Sequence, residues 1–272
     1  MSSLDANAVR DAIGGVAAGR LAGLQTFAEI GSTNSHLMGG AAPAPGKIHV
    51  ALTDNQTAGR GRHGRRWVSP AGSGLALSLA YTYAQVPAQL PALTLAIGLG
   101  VIDTLEDFGI GGLQLKWPND VMAGEGKLGG ILTETQVQGG GAVMVVTGVG
   151  LNVDLREGFD PGAERVGAVA DIAGLVSSLP SRNSLAGGLI TRLCAILVEY
   201  ETAGFARFAE RWSRRDWLRG RVLTIDTPER RVSGTAVGVH SDGALLVDTG
   251  AADVYRVTSG TVVVAGAAEA QP

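Results

Sequence analysis

At 272 residues, with 45% hydrophobic and 17% charged positions, the chain can bury a substantial core and is not a disordered segment. A formal net charge of −3 excludes a surface that binds nucleic acid or anionic membrane as a whole, so any cationic chemistry must be local. The single cysteine, Cys194, rules out an internal disulfide and a cysteine-based metal site, and its apolar surroundings predict a buried structural thiol. The N-terminus lacks the basic and apolar regions of a signal peptide, and no stretch approaches the length of a membrane span, so the chain reads as soluble and cytoplasmic.

In chain order, residues 5–20 predict a helix, with Asp5 as its cap and Val9, Ile13 and Val16 at helical spacing. LQTFAEI (24–30) reads as a strand, and Gly31-Ser32-Thr33-Asn34 as a turn carrying N-cap residues for a short helix. AAPAPG (41–46) is a surface loop by composition. KIHVALTD (47–54) and GLALSLAYTY (74–83) are β-rich, and LPALTLAIGLGVIDTLEDF (90–108) is a long helix. LQLKW (113–117) is a short strand ended by Pro118. KLGGILTETQ (127–136) and AVMVVTGVGLNVD (142–154) flank a Gly-rich turn and predict an antiparallel hairpin. Residues 183–218 follow a helical pattern, and after Gly220 five short β-rich runs predict a small β-barrel. The expected organisation is an α+β domain with a mixed or antiparallel sheet over 1–218, then a small all-β domain over 219–272. Hairpins and clustered helices argue against a regular βαβ winding.

Three clusters carry chemistry. GRGRHGRRW (59–67) places four arginines and three glycines between two strands, closed by Trp67. Glycines let successive N–H groups converge on an anion, guanidinium forks grip phosphate or carboxylate oxygens, and Trp67 offers a flat face for a base. Mutual repulsion of the arginines predicts a loop that is mobile when empty and ordered by a ligand. Alone, the loop reads as readily as a solvated or RGG-like RNA-binding segment as it does as an anion site; no P-loop motif occurs. The second cluster, Lys116-Trp117-Pro118-Asn119-Asp120 followed by Lys127-Leu128-Gly129-Gly130, sets an amide and a carboxylate on a rigid turn and an ammonium beside two glycines that leave room for a ligand. The third, Gly148-Val149-Gly150-Leu151-Asn152-Val153, is by itself a bend in a strand.

Together and in this order, GRGRxGRxW, KWPND, KLGG and GxGxNV closely resemble the biotin–protein ligase family, strongly over residues 24–155 and more weakly in the β-rich tail. Ser32, Thr33, Asn34 and Gln56 sit where that family carries matching polar residues. The resemblance implies a class II synthetase-like catalytic domain with an SH3-like C-terminal barrel, and an enzyme that joins biotin to ATP and passes the biotinyl group to a lysine of a carboxylase's carrier domain. It implies that Lys127 bridges the biotin carboxylate and the α-phosphate and that Arg62 and Arg65 contact phosphates. By the same pattern Trp67 packs near the nucleotide, and Asn119 and Asn152 lie near the metal-phosphate and nucleotide. Gly59, Arg60 and Gly61, with Gly129 and Gly130, would line biotin, and Ser32, Thr33, Asn34 and Gln56 would meet its ureido ring. Mg2+ would arrive with ATP rather than in a side-chain cage.

The chemistry agrees with the resemblance. Biotin's carboxylate is already an ionised nucleophile at neutral pH, so the first step needs charge neutralisation and positioning rather than a base. The second step needs a neutral amine, and Asp120 is the carboxylate expected to orient or deprotonate the acceptor lysine. About 30 residues precede Ser32, too few for the DNA-binding domain of repressor-type relatives, so a ligase without nucleic-acid or membrane partners is expected. His63 receives no role. The nearest rival, a lipoate–protein ligase, shares the fold and strand-borne lysine but should lack this arginine motif. An RNA-binding module leaves KWPND and KLGG unexplained.

Overall fold

A computed structural model describes residues 4–155 and 167–265. In chain order it has helices α1 (Ala6–Asp11) and α2 (Gly15–Arg20), strand β1 (Leu21–Phe27), helix α3 (Thr33–Met38), and strands β2 (Ile48–Thr53) and β3 (Gly74–Tyr83). Helix α4 (Leu93–Asp107) precedes β4 (Leu113–Lys116), β5 (Asp120–Ala123), β6 (Gly126–Val137) and β7 (Val143–Asn152). Helices α5 (Arg182–Ala203) and α6 (Ala206–Ser213) lead to β8 (Val222–Asp226), β9 (Arg231–Val239), β10 (Leu245–Asp248), β11 (Tyr255–Val257) and β12 (Thr261–Val264).

The first seven strands form one sheet in the order β1-β2-β3-β7-β6-β5-β4, parallel between β1 and β2 and antiparallel elsewhere. The architecture is thus α+β with a mixed sheet, and the hairpin read from 127–154 is β6–β7. Strand β3 is buried along its whole length because both sheet faces are covered. Leu75, Leu77 and Leu79 alternate with the small Ala76, Ser78 and Ala80. Tyr81 and Tyr83 continue the large-residue face and donate hydrogen bonds to Glu201 (3.0 Å) and to the Leu197 carbonyl (3.0 Å) on α5. The opposite face takes the short α3, where Leu37 packs with Ala51, Ala80, Met144 and Val146.

Two long helices of the sequence reading are broken. The helix over 5–20 ends at Asp11 and resumes at Gly15. The one over 183–218 breaks at Gly204, whose φ of +55° suits glycine and whose missing Cβ leaves room for Gln89 Oε1. Strand β5 was hidden inside the KWPND region, which is a hairpin turn between β4 and β5. Cys194 lies fully buried in α5, and burial pushes its thiol up to about 11, as befits an inert core residue.

The second sheet is five-stranded and antiparallel in the order β11-β10-β9-β8-β12. It shares a continuous apolar core with the first. Trp117 Nε1 donates to the Gly243 carbonyl (2.9 Å), and Arg221 forks onto Glu125 (2.8 and 3.0 Å) while stacking over Trp217. The small sheet is thereby pinned beside the KWPND turn. Among the described residues no helix is long and apolar enough to cross a membrane.

Candidate functional site

One cavity opens on the α3 face of the large sheet, and strand register explains its depth. Ser78, Gly148 and Leu132 form one cross-strand row, and Ala76, Gly150 and Gly130 the next. Apart from Leu132 these rows carry small side chains or none, so neighbouring elements can lean into them. A Cβ at Gly148 would stand 2.2 Å from Asn34 Oδ1, and one at Gly150 would stand 2.6 Å from the Trp67 ring. The GVG motif is therefore a straight stretch of β7 emptied to receive two functional side chains, not a bend.

At one end of the floor lies a buried polar cluster. Ser32 caps α3 by accepting from Ser35 N, which directs Thr33 and Asn34 inward, where both are buried. Gln56 Oε1 accepts from Thr33 N (2.9 Å) and lies 3.2 Å from the Thr33 hydroxyl. Ser78 Oγ lies 2.7 Å from Thr33 Oγ1 and 2.6 Å from Asn34 Oδ1.

The arginine loop forms the lid of the cavity. Gly61 N donates to Arg65 O (2.7 Å) and Trp67 N to Gly59 O (3.0 Å), making a small hairpin closed by an Arg60–Arg66 bridge. Two distant carboxylates offset the mutual repulsion of these arginines. Arg60 forks onto Glu134, and Asp120 attracts Arg62 against the effects of burial and Arg65, which together push that guanidinium's pKa down. Arg65 donates to Thr261 Oγ1 (3.0 Å), so the small sheet supports the lid from outside. His63 is exposed, adopts φ +55°, and has its pKa lowered by burial and then by Arg62 and Arg65.

Lys127 enters the cavity through a β-bulge. Alternation along β6 would put Lys127 on the face opposite Gly130, but the register with β5 slips between Val121 and Met122. Leu128 therefore turns into the core, and the Lys127 ammonium comes within 3.4 Å of where a Gly130 Cβ would be. It pairs with Asp120 at 2.6 Å and lies 5.7 Å from the centroid of the Trp67 ring. Its backbone is clamped separately: Lys127 N donates to Ala168 O, and Lys127 O accepts from Ala170 N and Asn152 Nδ2.

The cavity thus gathers Ser32, Thr33, Asn34, Gln56, Arg60, Gly61, Arg62, Arg65, Trp67, Asn119, Asp120, Lys127 and Gly130. Three positions named from the sequence take other places. Asn152 is fully buried and ties Lys127 O to Ala170 O instead of lining the cavity. Gly129 faces the Gly150 carbonyl and Leu151, and Gly59 faces the Trp67 carbonyl, so both act as close-packing positions. Asn119 lines the cavity while its Nδ2 donates to Ile131 O (2.8 Å), fastening the turn to β6.

Sequence reasoning missed Ser78, Lys116, Glu134 and the wall made by Gly260, Thr261, Val262 and Val263. The alternation of small with large residues in β3 was the available signal for Ser78. Lys116 stood within the quoted motif; burial lowers its pKa, opposed by Asp120 and reinforced by Lys127. Glu134 and the β12 wall had no local signal.

A deep polar end, a cationic lid and a strand-borne lysine define a site for joining a carboxylic acid to a phosphate. Residues 32–152 match the model of the biotin/lipoate A/B protein ligase family. The chain is 35% identical to the biotin–[acetyl-CoA-carboxylase] ligase of Mycobacterium tuberculosis over 267 residues, covering 96% of this chain and 95% of that one. It is 33% identical over 199 residues to the bifunctional ligase/repressor BirA of Escherichia coli, covering 73% of this chain and only 61% of that protein. The fold matches the Aquifex aeolicus biotin protein ligase solved with biotin and ATP, with a TM-score of 0.73, 26% identity, and coverage of 89% of this chain and 98% of that one. The chain belongs to the biotin protein ligase family.

Proposed function

We propose that this protein activates biotin with ATP and transfers the biotinyl group to a lysine of a carboxylase's biotin carrier domain. The observation that carries this reading is the Lys127 ammonium, swung into the cavity by a β-bulge and standing between the buried polar cluster and the arginine lid. The M. tuberculosis relative's name supports the carboxylase as partner. Residues 1–218 would form the catalytic unit and 219–272 a small unit that walls its cavity.

In the first step a biotin carboxylate oxygen attacks the α-phosphorus, the bond to the β-phosphate's bridging oxygen breaks, and pyrophosphate leaves. Lys127 and Arg62 neutralise the anions that must meet there, and Arg65 steadies the outgoing phosphates. Magnesium belongs to the nucleotide substrate, with Asn119 and Asp120 placed on the turn that would meet it. Trp67, lying across Gly130 and Gly150, offers its face to the nucleotide. Thr33, Asn34, Gln56 and Ser32 supply the polar end for the ureido ring, with Arg60, Gly61 and Gly130 beside it.

In the second step the acceptor amine attacks the acyl carbon and AMP leaves. Asp120 neutralises Lys127 before nucleotide binds. Once Lys127 turns to the phosphate, the freed carboxylate can orient the incoming ammonium and take its proton. Incubation with biotin and ATP should give biotinyl-5′-AMP by mass spectrometry with stoichiometric pyrophosphate; absence of both would refute the reading. Biotin should raise the melting temperature where lipoate does not, because the buried cluster offers partners to a ring bearing N–H and C=O groups.

A further inference from the structure

We propose that Glu134 is a positioning residue that fastens the arginine lid to the polar floor and sets the hydrogen-bonding sense of that floor. This rests on reading the cavity as a biotin site. Glu134 stands on β6 two residues beyond Leu132, on the cavity face and outside the reacting centre. Its Oε1 accepts from Arg60 NH2 (2.7 Å), while Oε2 accepts from Arg60 NH1 (3.3 Å) and from Asn34 Nδ2 (3.0 Å). Arg60 NH1 also donates to Ser35 Oγ (3.2 Å) on α3. One carboxylate therefore joins three separate segments: the lid, α3 and β6. The pairing with Arg60 is a charge-assisted fork, a stronger and more directional contact than a neutral one.

The second consequence concerns proton positions. Asn34 Nδ2 spends its two hydrogens on Glu134 and on the Leu132 carbonyl (3.1 Å). Flipping that amide would aim its oxygen at a carboxylate and a carbonyl, so Oδ1 must face Ser78. Oδ1 carries no hydrogen, so Ser78 donates its only hydroxyl proton to it across 2.6 Å. The Thr33 hydroxyl, 2.7 Å from Ser78 Oγ and 3.2 Å from Gln56 Oε1, then has only acceptors on its inner side and spends its one proton on them. With its proton committed inward, Thr33 Oγ1 is left as an acceptor toward the cavity, the sense required by a ring N–H. Glu134 never touches the ligand in this arrangement; it acts through Asn34, Ser78 and Thr33.

The two roles separate in two variants. Glu134→Ala removes both, whereas Glu134→Gln keeps an oxygen for Asn34 but loses the charge that grips Arg60. In the ligand-free protein, trypsin should cut within residues 60–66 about tenfold faster in both variants than in the wild type, since a charge-assisted contact no longer opposes local opening. For biotin measured by calorimetry, Glu134→Ala should weaken the affinity about tenfold and Glu134→Gln distinctly less, with KM for ATP staying within about twofold of wild type in both. Wild-type tryptic rates in Glu134→Ala would overturn the fastening role. Equal loss of biotin affinity in the two variants, or a parallel rise in KM for ATP, would overturn the floor-setting role. A wild type that binds no biotin yet shows faster lid cleavage in both variants would sink the biotin reading while leaving the fastening in place.

Discussion

Replacing Lys127 by alanine tests the proposed chemistry most directly, because the structure separates its catalytic role from its structural one. The Lys127 backbone is held by Ala168 O, Ala170 N and Asn152 Nδ2, none of which involves the side chain. The side chain's ion pair with Asp120 joins groups that are 29% and 22% exposed, so solvent screens it and its loss should cost about 1 kcal/mol or less. For a chain of this size that corresponds to a melting-temperature change of about 2–4 °C at most. In the adenylation transition state the same ammonium would face the attacking carboxylate and the α-phosphate within a lidded cavity. Removal of one such preorganised donor costs about 3–4 kcal/mol, or about 10²–10³ in rate. Pyrophosphate release at saturating biotin and ATP should therefore fall by at least about a hundredfold while the melting curve barely moves. Lys127→Arg keeps the charge but moves it, and should recover only part of the loss. Unchanged pyrophosphate release in Lys127→Ala would refute the assignment, and a collapse in melting temperature matching the loss of activity would refute the claim that the side chain is dispensable for folding.

Asp120→Asn should slow single-turnover transfer from preformed biotinyl-AMP to the carrier by about tenfold or more, and an unchanged transfer rate would remove Asp120 from the second step. Gly148→Ala would drive a Cβ into Asn34 Oδ1, so biotin affinity should drop by about tenfold or more with KM for ATP less affected; calorimetry showing wild-type affinity would mean the floor can yield. Asp216 is 7% exposed, its Oδ2 lacks a hydrogen-bond partner among the described residues, and burial raises its pKa to about 6. A folded pKa above the unfolded value means the native state binds more protons between about pH 4 and 6, so the ionised group destabilises progressively as pH rises through that window. Asp216→Asn should accordingly stabilise the protein by about 1–3 kcal/mol at pH 7.5 and by much less at pH 4.5. Denaturant melts giving the same difference at both pH values would contradict this.

Much of the site was legible in one dimension because its chemistry is written in contiguous motifs. An arginine–glycine loop between strands, a Trp-Pro-Asn-Asp turn and a lysine before two glycines each declare their residue types locally, and Ser32 announces α3 by its capping chemistry. β-rich composition likewise disclosed β3, and the Gly-rich turn between two β-rich runs disclosed the β6–β7 hairpin. Helix continuity was over-read at 5–20 and 183–218, because apolar periodicity persists across a glycine break that only packing makes visible.

What the tertiary structure alone decided is which residues meet. The bulge that reverses Lys127 against Leu128 is a register slip between β5 and β6, and no composition of the strand itself encodes it. The carboxylates that tame the lid come from Glu134, 74 positions from Arg60, and from Asp120, drawn into place by the β4–β5 turn. The Asn152 side chain clamps the Lys127 backbone and Gly129 packs against the Gly150 carbonyl and Leu151, neighbours that their motifs do not announce. By itself the sequence determined the functional groups, because charge, capping and strand alternation are local properties. Folding determined their neighbours, because ion pairing and hydrogen-bond sense depend on distances that only the assembled sheet sets.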